Sequence, residues 1–185
     1  HKFDEKILVN FIEAAKELEN DGVKAITTTC GYLAIFQKQL SMAVDIPVFT
    51  SSLLQIPMVH RMLKPTGKIG LLVANDKTFC KDILKKVGAE NIQVVIAGLY
   101  GNIEFDRIHK GNIMDIKKAT EEVILLSKNL VEKDPLIKAI VIEDANLPPY
   151  SKKISEATGL PVFDIMTITR WAYSALIQHE YYGYI

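Results

Sequence analysis

The sequence predicts an α/β protein of two pseudo-symmetric domains, each a short parallel sheet flanked by helices, with the site in the cleft between them. The first observation behind this is an internal repeat. Sliding the chain along itself by 114 positions aligns Val23 to Phe49 with Ile137 to Phe163 without a gap. Lys24, Ala25, Ile26, Lys38, Ala43, Pro47, Val48 and Phe49 then meet Lys138, Ala139, Ile140, Lys152, Ala157, Pro161, Val162 and Phe163. The second is alternation: short β-branched runs take turns with segments of helical spacing, the pattern of parallel strands joined by crossover helices. The third is the placing of two reactive groups. In the repeat register Cys30 falls on Asp144, each just past an apolar run and just before a helical segment. In parallel sheets that is the end where ligands bind.

Phe3, Ile7, Leu8, Phe11, Ala14, Ala15 and Leu18 recur at helical spacing, so a helix is expected from about Asp4 to the Asn20-Asp21-Gly22 stop. Val23 to Thr27 reads as a buried strand. Leu33, Phe36, Leu40 and Val44 space as a helix, and Ile46 to Phe49 as the next strand. Thr50, Ser51 and Ser52 can cap the helix that continues to Leu63. The turn cluster Lys64-Pro65-Thr66-Gly67 is the expected boundary, giving a first unit of residues 1–65, joined by the C-terminal helix 165–185, and a second of residues 66–164. In the second unit, strands are expected at Lys68 to Val73, Ile92 to Ala97, Ile137 to Ile142 and Pro161 to Phe163. Helices are expected at Asp76 to Val87, Ile113 to Glu132, Pro149 to Thr158 and Ile165 to His179. Gly98 to Asn112, with Gly101-Asn102 and Gly111-Asn112, reads as a long polar connection. Trp171 and Leu176 are expected to be buried, Cys80 to sit in a helix facing the core, and Tyr181, Tyr182 and Tyr184 to form a tail.

Composition narrows the function. Apolar residues make up 49% of the 185-residue chain, and 22 basic residues balance 22 acidic ones, so no basic face points to nucleic acid or anionic lipid. No apolar run approaches a membrane span, and no signal-peptide core opens the chain. Two cysteines suit a reducing compartment, and a cytoplasmic location is expected. His60 and His109 lack partners at metal-ligand spacing, and no dinucleotide or phosphate loop is present, so neither metal nor cofactor is expected.

The start of a helix after Cys30 offers free N–H groups that lower a thiol's pKa from about 8.5 and cradle a carboxylate. Thr29, Gly31 and Tyr32 belong to that loop; Asn146, the repeat partner of Tyr32, edges the other side. With the two halves facing each other, Cys30 and Asp144 approach a bound molecule from opposite faces, as moving a proton at one carbon requires. The plainer reading makes Cys30 a packed residue and Asp144 a helix cap.

Ala25-Ile26-Thr27-Thr28-Thr29-Cys30-Gly31-Tyr32-Leu33-Ala34, Pro47-Val48-Phe49-Thr50-Ser51-Ser52-Leu53 and Glu143-Asp144-Ala145-Asn146-Leu147-Pro148-Pro149-Tyr150 resemble the aspartate/glutamate/hydantoin racemase superfamily, in particular its aspartate/glutamate racemase-like branch. The resemblance implies two α/β domains around a cleft, cofactor-independent proton transfer next to a carboxylate, two cysteines as base and acid, and a homodimer. Cys30 matches the first cysteine. Asp144 stands where the branch has the second, and Ala145 where it has a substrate-holding threonine. By the same resemblance Asn75 and Asp76 hold substrate, with a turn and helix cap as the equal alternative, and Ser51 is a similar case. The family also begins with a strand and loop that this chain starts after. The expected function is a cofactor-independent, racemase-type isomerase moving a proton on a small amino acid or related acid. The alternatives are a catalytically impaired protein binding small carboxylates, or a one-thiol decarboxylase.

Overall fold

A computed structural model describes residues 5–109, 113–180 and 182–183. Of the sequence features above, Phe3 and Asp4, the pair Gly111-Asn112 and the tail residues Tyr181 and Tyr184 lie outside them. The elements run α1 (Glu5–Asn20), β1 (Ile26–Thr27), a 3-10 turn (Gly31–Phe36), α2 (Gln37–Ser41), β2 (Val48–Phe49), a second 3-10 turn (Ser52–Gln55) and α3 (Ile56–Met62). They continue as β3 (Lys68–Val73), α4 (Asp82–Lys86), β4 (Val94–Gly98), α5 (Ile103–His109), α6 (Ile116–Lys133), β5 (Ile137–Ile142), a third 3-10 turn (Pro148–Tyr150), α7 (Ser151–Thr158), β6 (Val162–Phe163) and α8 (Ile165–Leu176).

The strands form two parallel sheets, β1-β2 and β4-β3-β5-β6. The repeat is visible in their register. Ile26 pairs with Val48 and Thr27 with Phe49, while Ile140 pairs with Val162 and Val141 with Phe163, the same four positions moved by 114. Even single bonds repeat: Ile26 N donates to Pro47 O and Ile140 N to Pro161 O, both at 2.9 Å. After each first strand the chain turns alike, with Leu33 N donating to Cys30 O at 3.0 Å and Leu147 N to Asp144 O at 3.2 Å.

Leu71, Val73, Ala139 and Val141 point to one face of the larger sheet, against Leu53, Ile56 and Val59. Leu72, Ile140 and Ile142 fill the other, against Ala119, Val123 and Leu130. A smaller core of Ala15, Ile26, Phe36, Leu40 and Val44 holds α1 to the first sheet. Gln55 ties the Ser52–Gln55 turn to the start of α8, donating from Nε2 to Asp164 O at 2.9 Å and accepting from the Thr167 hydroxyl.

Several expectations change. The helix expected from Asp76 is only α4, because Asn75 Oδ1 accepts from the N–H groups of Lys77 and Thr78 and closes a turn there. Cys80 therefore precedes the helix, half-buried, with its thiol 3.9 Å from Asp82 Oδ2. The polar connection after Gly98 contains α5, anchored by buried Glu104: Oε2 accepts from Asp115 N at 2.7 Å, and Oε1 pairs with Arg107 at 3.2 Å. Trp171 is 63% exposed and Leu176 37%, since α8 buries Ile168 and Ala172 instead. A capping box at Asp164 and Thr167 starts the helix, and both residues are tied to Gln55 of the first unit. Among the described residues no helix is long and apolar enough to cross a membrane.

Candidate active site

Cys30 lies at the carboxyl end of β1, in extended backbone, where it precedes the Gly31–Phe36 turn. It is exposed and opens onto a hollow of about 420 Å³ bordered by Phe11, Thr28, Thr29 and Leu33. Solvent and small molecules can therefore reach the residue, although its sulfur is partly desolvated. That desolvation is the largest influence on the thiol and pushes its pKa up from 9.0; the N–H groups of Tyr32 and Leu33 oppose it, and the carboxylates of Glu143 and Asp144 reinforce it. The expected lowering at a helix start is thus overcome: two N–H groups of a short 3-10 turn do not offset lost water and two nearby carboxylates.

Asp144 occupies the equivalent place after β5. It is 9% exposed, and its Oδ1 accepts from N and Nδ2 of Asn146 at 2.8 and 2.9 Å. Asp144 opens onto a second hollow, of about 230 Å³, shared with Ala74, Asn75, Leu99, Tyr100, Phe105 and Asp106. Cys30 and Asp144 are thus near enough to interact electrostatically but border different hollows. Tyr32 spans the two sheets, its hydroxyl donating to Asn75 O at 3.2 Å and its ring 6.0 Å from that of Phe79.

The remaining sequence candidates divide. Thr29 stands beside Cys30 in its hollow, and half-buried Ala145 and exposed Asn146 follow Asp144. Ser51 is fully buried, its hydroxyl accepting from Leu53 N, so it caps the Ser52–Gln55 turn as a helix cap would. Asn75 uses its side chain for the turn before α4 and presents its carbonyl to Tyr32. Asp76 packs its backbone N and Oδ1 against Gly98, where a Cβ would lie 2.4 Å from either.

Sequence reasoning passed over Glu143. Only 2% exposed, it directly follows β5, with Oε2 accepting from Ala74 N at 3.2 Å. Burial, with the neighbouring Asp144 charge and against that hydrogen bond, raises its pKa to about 7. A signal was present, a carboxylate directly after the apolar run Ala139 to Ile142, but nothing in the repeat marks it, because its counterpart is Thr29. Gly31 exists for this contact: a Cβ there would sit 2.4 Å from both the Glu143 backbone oxygen and Oε1. At that distance from a backbone oxygen the loop or the strand end must shift, so Gly31→Ala is expected to destabilise the protein by about 1–3 kcal/mol in urea unfolding. An unchanged midpoint would show that the loop is free to move away.

No family model matches the chain. Among solved structures, an aspartate racemase homologue from Pyrococcus horikoshii OT3 superimposes with a TM-score of 0.61 at 21% identity, covering 89% of this chain and 72% of that one. Unliganded arylmalonate decarboxylase does so at 0.60 and 14% identity, covering 95% and 77%. The chain has the fold of the aspartate/glutamate racemase superfamily. In sequence it is similar to "Dimethylsulfoniopropionate lyase 7" of Emiliania huxleyi (strain CCMP1516), 33% identical over 188 residues that cover 97% of this chain. The match takes in 55% of that relative, so the chain spans little more than half its length.

Proposed function

We propose that the chain carries the chemistry of a dimethylsulfoniopropionate lyase, with Cys30 as the base. The thiolate takes a proton from the carbon next to the carboxylate. The C–H electron pair becomes the new double bond, and the C–S bond breaks with its pair staying on sulfur. Acrylate and dimethyl sulfide leave, and the proton on Cys30 returns to water. In this reading substrate lies between the unit of residues 1–65 with 165–185 and that of residues 66–164.

The carrying observation is one thiol whose counterpart in the repeat is a carboxylate. Racemisation needs an acid and a base on opposite faces. Elimination of a neutral thioether needs one base, because the leaving group requires no proton. A carboxylate at Asp144 then complements a positively charged substrate. That charge also helps the thiol, since a sulfonium near Cys30 favours the thiolate that its desolvated setting disfavours. The names of the sequence relatives support the same substrate. The racemase fold supports the shared first step, proton removal next to a carboxylate, and keeps an amino-acid isomerase as the second reading.

Supplying the chain with dimethylsulfoniopropionate and measuring dimethyl sulfide in the headspace and acrylate by NMR tests the proposal. Asp144→Asn is expected to lower kcat/KM about tenfold, the loss of one charge contact. A loss of 10²–10⁴, the scale of a removed acid or base, together with α-deuterium exchange into aspartate or glutamate in heavy water, would replace it with the isomerase reading.

A further inference from the structure

We infer that the hollow beside Asp144, walled by Tyr100, Phe105 and Asp106, binds the onium end of a small carboxylic acid. The inference rests on the lyase reading for which acid this is, and on the structure for the chemistry of the wall. The hollow lies where β3, β4 and β5 end, the side of the sheet on which Asp144 stands. Its volume of about 230 Å³ equals roughly seven or eight waters of liquid.

Two aromatic residues and two carboxylates share this space, and among the described residues no Lys or Arg lines it. Phe105 is buried and held edge-on by Tyr150, with ring centroids 6.0 Å apart, so its position is fixed from behind. Tyr100 is half exposed, and its ring already attracts a cation: Lys77 Nζ lies 4.2 Å from the ring centroid. Lys77 is exposed on the turn before α4 and can swing into water when a ligand cation arrives. Arg107, next to Asp106 on α5, is already paired with Glu104 at 3.2 Å.

A methylated onium group cannot donate strong hydrogen bonds. Ring faces and diffuse negative charge are what select it over a neutral group of the same shape. Tyr100 supplies the face, Asp106 and Asp144 the charge, and Leu99 and Phe105 the dry floor. Asn75, on the wall of the same hollow, accepts the Tyr32 hydroxyl at its carbonyl, so Tyr32 stands next to this space.

The test uses the 185-residue chain carrying Cys30→Ala, so that nothing turns over, and compares 3-(trimethylammonio)propanoate with its neutral carbon isostere 4,4-dimethylpentanoate by calorimetry. The charged acid is expected to bind at least about tenfold more tightly. Tyr100→Ala and Asp106→Asn are each expected to cut that preference about three- to tenfold, within the range of a partly desolvated cation–π or charge contact. Neither residue is deeply buried, and thermal unfolding of each variant verifies that it folds. Equal affinity for the two acids, or a preference untouched by both substitutions, overturns the inference. A chain that releases no dimethyl sulfide yet keeps the preference defeats the lyase reading alone. One that releases dimethyl sulfide without the preference defeats this inference alone.

Discussion

Cys30→Ala is expected to lower the rate of dimethyl sulfide release by about 10²–10⁴, the usual contribution of a positioned base, while leaving carboxylate binding within about threefold. Cys80→Ala is the control; its thiol sits beside Asp82 before α4, away from both hollows. The pH dependence carries a further commitment. The thiol is held above its ordinary value, first by desolvation and then by the charges of Glu143 and Asp144, against the N–H groups of Tyr32 and Leu33. At neutral pH most molecules therefore carry the protonated thiol, and the base is its minor form. With free enzyme and subsaturating substrate, kcat/KM should rise by up to tenfold per pH unit through neutrality and level off only in the alkaline range. A profile already flat at pH 7 would mean that another group removes the proton. So would a Cys30→Ala variant retaining more than about a tenth of the parent rate.

The repeat made the sheets legible in advance because register is a relation between positions. Once Ile26 and Val48 are matched to Ile140 and Val162, a parallel pairing of one predicts that of the other. Strand ends, and with them the loops carrying Cys30 and Asp144, follow from that pairing. What escaped the sequence depended on groups distant in the chain. Helical spacing after Cys30 looks the same whether the turn is α or 3-10, yet only the fold shows how few N–H groups face the thiol and how close Glu143 comes. The apolar stripe of α8 placed Trp171 inward, whereas the helix, tied at Asp164 and Thr167 to distant Gln55, buries Ile168 and Ala172. Asn75 resembled a ligand or a cap with equal force; its turn to Lys77 and Thr78 gives the side chain the structural part and leaves its carbonyl to Tyr32. Glu143 was hidden by its own neighbours, as one carboxylate in a run that the repeat explained without it.

Glu143 provides the second large effect, on stability. Its pKa rises from 4.5 to about 7 on folding, chiefly through burial, a gap worth about 3 kcal/mol. Because the folded carboxyl is the weaker acid, the folded protein keeps a proton that the unfolded chain gives up. This contribution is fully present below about pH 4.5, is lost as pH rises to about 7, and stays lost above it. Asp134, lowered from 3.8 by Lys68, works in the opposite sense but only at more acidic pH, so the two do not overlap. Urea unfolding at pH 5, 6, 7 and 8 should therefore show the parent protein weakening by up to about 3 kcal/mol. Glu143→Gln keeps an oxygen for Ala74 N–H without the charge, and should flatten that decline. It should also move the rising limb of the kcat/KM profile toward lower pH, since the charge of Glu143 is one of the influences holding the Cys30 thiol up. A parent protein equally stable at pH 5 and 8 would mean that Glu143 stays ionised in its buried place. A flattened stability curve with an unmoved rate profile would confine Glu143 to the fold and leave desolvation alone to set the thiol.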